Sequence, residues 1–151
     1  MGEPTYDLRA ERLLSASQEA AFDAYVNPTL WRALGSVSEC DLRVGGIWSI
    51  VGGPANSKPF RETNRFTEIL RPHHVAFHST LVLPDDSVLE RNVDANFESA
   101  GEGRTRMTIV QRGFPSREAR DALEPAFPSI FDAIERMAAS SAPAPLTKRD
   151  G

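Results

Sequence analysis

The sequence predicts an α+β domain in which a curved antiparallel sheet wraps one long C-terminal helix, with two short helices after the first strand. Three observations carry that prediction. Residues 127–138 set Phe127, Ile130, Phe131, Ile134, Met137 and Ala138 at i, i+3, i+4, i+7, i+10 and i+11, one stripe of a helix. Ser129, Asp132, Glu135 and Arg136 fall on the opposite side. Nearly everything between Val37 and Gly113 reads as strand, divided by compact turn signals. Burying the five large apolar side chains of the helix contributes about 8–15 kcal/mol gross, at about 1.5–3 kcal/mol each. The sheet is the surface available to receive them.

Each element has a local reason. Residues 6–14 alternate Tyr6, Leu8 and Ala10 against charged neighbours, a first strand. A helix then starts at Ser15-Ala-Ser17-Gln-Glu. Ser15 with Gln18 has the spacing of a capping box, and Ser17 is the competing cap. Ala21, Phe22, Ala24, Tyr25 and Val26 form its apolar side, and Asn27-Pro28 ends it and opens a second short helix over residues 29–34 carrying Trp31. Residues 38–44 alternate as Cys40, Leu42, Val44, a strand expected to bury those three. Gly45-Gly46 then allows a sharp turn or bulge that side chains would forbid. Strands follow over 47–51, 60–70, 74–83, 88–97 and 105–112, with turns at Arg71-Pro72-His73, Pro84-Asp85-Asp86 and Gly101-Glu102-Gly103. Pro125 and Pro128 divide a short helical turn over 116–124 from the last helix. The Ala/Pro/Ser-rich segment after Ser140 lacks apolar content and reads as disordered, which gives one domain over 1–140 and a tail over 141–151.

Composition narrows the function classes. A chain of 151 residues fits a single domain with a sizeable core of its own. Seventeen basic against 21 acidic residues give a net charge of −4 with no basic run, which argues against nucleic acid as a partner. Cys40 alone makes neither an internal disulfide nor a Cys-rich metal site, so a reducing, cytoplasmic setting is expected. There is no apolar run near 18 residues and no signal-peptide pattern, so no membrane insertion is expected.

Several stretches together resemble a known family: Arg12-Leu-Leu-Ser-Ala16, Asn27-Pro28, Asp41-Leu-Arg-Val-Gly-Gly-Ile-Trp48, Glu68-Ile-Leu-Arg-Pro72, Val75-Ala-Phe77 and Arg112-Gly-Phe114. With the element order, they are similar to the START-like, or SRPBCC, superfamily with its helix-grip fold. The branch is the one named after the activator of heat-shock-protein-90 ATPase, also called polyketide-cyclase-like. The likeness covers roughly residues 6–138, and the Asp41–Trp48 stretch is its most specific part. The family usually opens its last helix with Gly-Trp, where this chain has Ala126-Phe127, so the aromatic packing role survives without the indole donor. The resemblance implies a START-like domain over 1–140 with a cavity between sheet and last helix. Members bind lipids, sterols, polyketides or plant hormones, and some are cyclases, dehydratases or co-chaperones. One fold hosts many unrelated activities, so the wall residues must decide.

Strand alternation says which residues face the cavity. Arg91 shares its face with Leu89, Val93, Ala95 and Phe97, a charge on an otherwise apolar surface. Hairpin closure predicts Glu62, Leu81, Arg91 and Gln111 as one cross-strand row, with Trp48, Asn64, Ser79, Val93 and Ile109 as the next. A buried Arg needs a partner, and Glu62 and Gln111 are within reach. The expected ligand-binding set is therefore Trp31, Trp48, Glu62, Asn64, Ser79, Leu81, Arg91, Gln111, Phe127 and Phe131. The competing reading is that Arg91 snorkels to solvent at the strand end with Glu62 as a structural partner, and that the aromatics are plain core. His73 sits in a turn, and His74 and His78 alternate onto the outer face, so they read as surface residues. Cys40 reads as a small core residue rather than a nucleophile. There is no Gly-rich phosphate loop and no supported Ser/His/Asp order. No metal or cofactor is expected.

The leading functional expectation is a small hydrophobic or aromatic ligand, lipid-, polyketide- or sterol-like, held between sheet and last helix and oriented by the polar patch. Two rivals stay open. One is a cyclase or dehydratase without a metal, in which Glu62 moves a proton while Arg91 stabilises a developing enolate, with Gln111 assisting. The other is a chaperone-interaction module acting through the outer sheet face, which reads as polar with no apolar patch. A homodimer through an edge strand is also left open, because open sheets leave edges to cover.

Overall fold

The structure is a computed structural model that describes residues 5–32, 35–38 and 40–141. Its strands are β1 (Tyr6–Leu14), β2 (Ser36–Val37), β3 (Ile47–Gly52), β4 (Phe60–Leu70), β5 (His74–Val82), β6 (Val88–Ser99) and β7 (Thr105–Phe114). They form one antiparallel sheet in the order β1-β7-β6-β5-β4-β3-β2. After β1 come α1 (Gln18–Tyr25) and α2 (Pro28–Trp31). After β7 come α3 (Arg117–Leu123), one 3-10 turn (Glu124–Ala126) and α4 (Phe127–Ser141). This is the expected helix-grip arrangement. The predicted end of α2 falls at residues 33–34, and the predicted tail, from residue 142 on, likewise lies outside the described residues.

Capping chemistry sets the helix starts. Ser17, not Ser15, caps α1 by accepting from the Ala20 amide at 3.1 Å, while the Ser15 amide donates to Glu135 at 2.9 Å. Asn27 caps α2, accepting from the Thr29 amide at 2.9 Å, with Pro28 in the first turn. Ser116 caps α3 through the Ala119 amide at 3.1 Å. On α4, Phe127, Phe131, Ile134 and Ala138 are buried at i, i+4, i+7 and i+11, while Ile130 and Met137 are half-buried at the stripe's margins. Arg12 on β1 pairs with Asp132 at 2.6 Å and Glu135 at 3.6 Å, and its guanidinium lies 5.3 Å from the Phe131 ring centroid. These contacts fix which side of α4 meets the first strand.

One predicted strand is corrected. Of the predicted 38–44 strand, the described residues Ser38 and 40–44 do not form one: β2 ends at Val37, paired with Ile50, and the chain turns on itself from Asp41 to Gly46. The Arg43 amide donates to the Asp41 carbonyl at 2.9 Å and the Gly46 amide to the Arg43 carbonyl at 2.8 Å. The Arg43 guanidinium also binds the Asp41 carboxylate at 2.8 Å. Local bonds of this kind compete with a ladder. Of the three expected core residues only Cys40 packs against the core, while Leu42 and Val44 are exposed at 43% and 65%.

Of the expected turn or bulge, Gly45-Gly46 forms the sharp turn. Gly45 has φ +85°, and a Cβ on Gly46 would lie 2.0 Å from the Asp41 carbonyl oxygen. The pair docks on β4 through Gly45 N to Phe66 O (2.8 Å) and Phe66 N to Gly46 O (3.0 Å).

Candidate functional site

The inner face of the sheet carries Ile50, Phe66, Val75, Phe77, Val93, Ala95 and Ile109, all buried. Four polar side chains are buried with them or nearly so: Asn64 and Ser79 at 0%, Arg91 at 4%, and Thr105 at 0%. Alternation along β6 puts Arg91 inward between Leu89 and Val93, as expected. It does not snorkel.

The register differs from the predicted one. Glu62 pairs with Leu81, and Asn64 with both Trp48 and Ser79, as expected. Leu81 faces Leu89, however, and Ser79 faces Arg91, while Val93 faces Gln111. The β5–β6 loop is only Pro84-Asp85-Asp86, closed by Leu83 N to Ser87 O at 2.9 Å. Asp86 takes φ +70°, the left-handed residue that closes a three-residue hairpin loop. Ser87 donates its hydroxyl and then its amide to Asp85, which holds that carboxyl below the usual range.

Arg91 therefore sits one row away from Glu62 and Gln111, and its length spans the diagonal. One terminal nitrogen donates to Glu62 at 3.1 Å and to Ser79 at 2.7 Å. The other donates to Gln111 Oε1 at 2.7 Å. Asn64 Nδ2 reaches the second Glu62 oxygen at 3.2 Å. Arg91 Nε and Asn64 Oδ1 are buried without a partner among the described residues.

A cavity of about 110 Å³ lies between this network and the helices. Of the expected ligand-binding residues, Trp31, Trp48, Glu62, Arg91, Gln111 and Phe127 line it. Asn64 and Ser79 stand behind, bonded to Glu62 and Arg91. Leu81 is buried but off the lining, and Phe131 lies on the flank of α4 beneath Arg12. The aromatic wall is tightly coupled: Trp31 and Trp48 centroids are 5.5 Å apart, and Phe77 meets Trp48 edge-on at 5.9 Å.

Tyr25 also lines the cavity, although the sequence placed it only on the apolar side of α1. It was the one residue of that side with a polar tip. Burial, then the negative charge of Glu62, pushes its hydroxyl well above the ordinary phenol range, with Arg91 opposing. A second, outward groove of about 360 Å³ runs between α2 and α4. It shares Trp31, Ala126 and Ile130 with the cavity, so these three form a partition.

The remaining candidates lie elsewhere. His74, on the outer face, is bracketed by Glu68 at 2.6 Å and Asp94 at 2.8 Å, half-buried rather than fully exposed. His78 contacts Asn92 and Glu90, and His73 Nδ1 lies 3.3 Å from Gln18 Nε2. Burial, then Asp41, pushes the Cys40 thiol up, away from thiolate chemistry. The outer surface is not free of apolar side chains: Leu42, Val44 and Ile47 are all exposed within six residues. No helix among the described residues is long and apolar enough to cross a membrane.

A family model described as Activator of Hsp90 ATPase homolog 1-like protein matches residues 15–139. No curated protein matches significantly. Among solved structures, Mll3558 from Rhizobium loti aligns with TM-score 0.76 at 18% identity, covering 89% of this chain and 97% of that one. PFC0360w, an HSP90 activator from Plasmodium falciparum, aligns with TM-score 0.67 at 20% identity, covering 88% and 96%. DynU16, a protein of the dynemicin biosynthetic locus, aligns with TM-score 0.66 at 13% identity over 89% of this chain and 47% of its own. At these identities the shared property is the fold.

Proposed function

The chain belongs to the Activator of Hsp90 ATPase homolog 1-like family, and from that premise we propose that it binds a small hydrophobic or aromatic molecule between the sheet and α4. The fold is one that commonly binds hydrophobic ligands. The observation that carries the reading is the network of buried Arg91 with half-buried Glu62 and Gln111 on the wall of an otherwise apolar cavity. Taking the Arg91 charge out of water costs several kcal/mol, and an apolar replacement of a buried pair is often no less stable. A polar cluster opening on a cavity is the arrangement by which ligand sites orient what they hold. The volume favours a compact ring over a sterol, because pockets for larger ligands run to about 300–1,000 Å³.

The test is displacement of an apolar fluorescent probe from wild type, Arg91→Met and Glu62→Gln, with native mass spectrometry of the purified protein for a co-purified small molecule. Weaker binding in both variants, with folding intact by circular dichroism, supports the reading. Equal binding in all three removes the polar patch, and absence of any binding removes the site.

A chaperone-contacting role is the second reading, favoured by the exposed Leu42, Val44 and Ile47 and by the HSP90-activator neighbour. A pull-down with the chaperone that is lost in Val44→Asp would support it.

A further inference from the structure

We infer that the cavity selects an uncharged ring ligand bearing a hydrogen-bond acceptor, such as an aromatic ketone, over the matching carboxylate, with Tyr25 and Gln111 as the donors. This rests on the cavity reading above and specifies what that cavity takes.

The Arg91 charge is already matched by Glu62 at 3.1 Å, and both of its terminal nitrogens are engaged, one by Glu62 and Ser79 and the other by Gln111. Both Glu62 oxygens are also engaged, one by Arg91 and one by Asn64. A guanidinium only donates, so the Gln111 oxygen must face it and the Gln111 amide nitrogen must point away. That NH2 group has no partner among the described residues, and neither has the Tyr25 hydroxyl, though Tyr25 is only 3% exposed. A phenol is protonated at neutral pH, so it too can donate. Besides the Arg91 Nε–H, which is buried without a partner, the unspent groups on the lining (Tyr25, Gln111 and the Trp48 indole N–H) are thus neutral donors, and the Arg91 charge stays matched by Glu62.

A neutral acceptor satisfies them. An anion entering here would be desolvated beside the Glu62 carboxylate without a free positive charge to meet it. The rest of the wall, Trp31, Trp48 and Phe77 at 5.5 and 5.9 Å centroid spacings, suits the face and edge of a flat ring.

Three matched single-ring probes, acetophenone, ethylbenzene and benzoate, separate shape from polarity by ligand-observed NMR or calorimetry at neutral pH. Acetophenone should bind about tenfold more tightly than ethylbenzene, the yield of one to two hydrogen bonds, and benzoate more weakly than either. Tyr25→Phe and Gln111→Leu should each lower acetophenone affinity about fivefold, while ethylbenzene affinity changes less than about twofold. Benzoate binding as tightly as acetophenone would overturn the inference. So would ethylbenzene binding with no gain for the ketone, an outcome that leaves the cavity reading standing. If none of the three binds, both fall together.

Discussion

Arg91 is a charge that a plain core gives no reason to keep. It is held by three partners, yet its Nε is left without one. An unsatisfied buried donor costs about 1–3 kcal/mol, so the network is not optimised for stability alone. On the outer face the logic reverses, because polar groups there titrate in reach of water. His78 donates through one ring nitrogen to Asn92 at 3.0 Å and through the other to Glu90 at 2.8 Å, an arrangement that needs both nitrogens protonated. The Asn92 bond, then the Glu90 bond, raises its pKa above the ordinary 6.5, against desolvation and Arg65. A raised folded-state pKa means that the folded state holds this proton more tightly than the unfolded chain. The resulting stabilisation is fully present below 6.5 and is lost as pH rises through the folded value. An NMR titration should give a His78 midpoint above 6.5, and His78→Gln should flatten that part of the stability–pH curve. A midpoint at or below the ordinary value would refute the assignment.

Elements differ in how far the sequence reveals them. Alternation and the helical stripe made the strands, their inner faces and α4 legible, because period alone decides which side a residue takes. The β4–β5 pairing of Glu62 with Leu81 was legible too. The β5–β6 register was not: the turn residues Pro84-Asp85-Asp86 were legible, but not that Leu83 and Ser87 pair directly across them, with Asp86 at φ +70°, which sets Leu81 against Leu89 rather than Arg91. A register shift by one pair keeps every residue on its face, which explains why Arg91 still reached Glu62 and Gln111. The 38–44 segment failed for another reason. Its alternation imitates a strand, but Asp41 and Gly46 provide turn bonds that no periodicity displays. Gly46 shows how tight that turn is. A Cβ there meets backbone at 2.0 Å, and backbone cannot swing aside as a side chain would. Gly46→Ala should therefore lower stability by more than about 1 kcal/mol in urea unfolding, and should loosen the hydrogen bonds to Phe66, visible as faster amide exchange. An Ala variant as stable as wild type would mean that the turn is softer than its geometry implies.

At the scale of the whole molecule, function depends on what encloses the space between sheet and helices, and that is set by the rotation of α4. The aromatic residues were legible as a group, but which of them line the cavity was not. Phe127 does, whereas Phe131, one turn on, is drawn to the β1 side beneath Arg12. The remaining boundary is the partition of Trp31, Ala126 and Ile130 between the inner cavity of about 110 Å³ and the outer groove of about 360 Å³. Trp31 is its largest member, fixed by a 3.1 Å hydrogen bond from Nε1 to the Tyr25 carbonyl and by stacking on Trp48. If enclosure by this indole limits ligand length, removing it should join the two spaces. Trp31→Ala should cost about 3–5 kcal/mol of stability, and the milder Trp31→Leu serves where that proves too much. In either variant, butylbenzene should gain about tenfold in affinity relative to ethylbenzene, because its chain extends through the opening while its ring keeps the inner position. Wild type should show the opposite preference. An unchanged ratio in both variants would mean that the partition is not what sets ligand length, and that α4 itself moves to admit the longer probe.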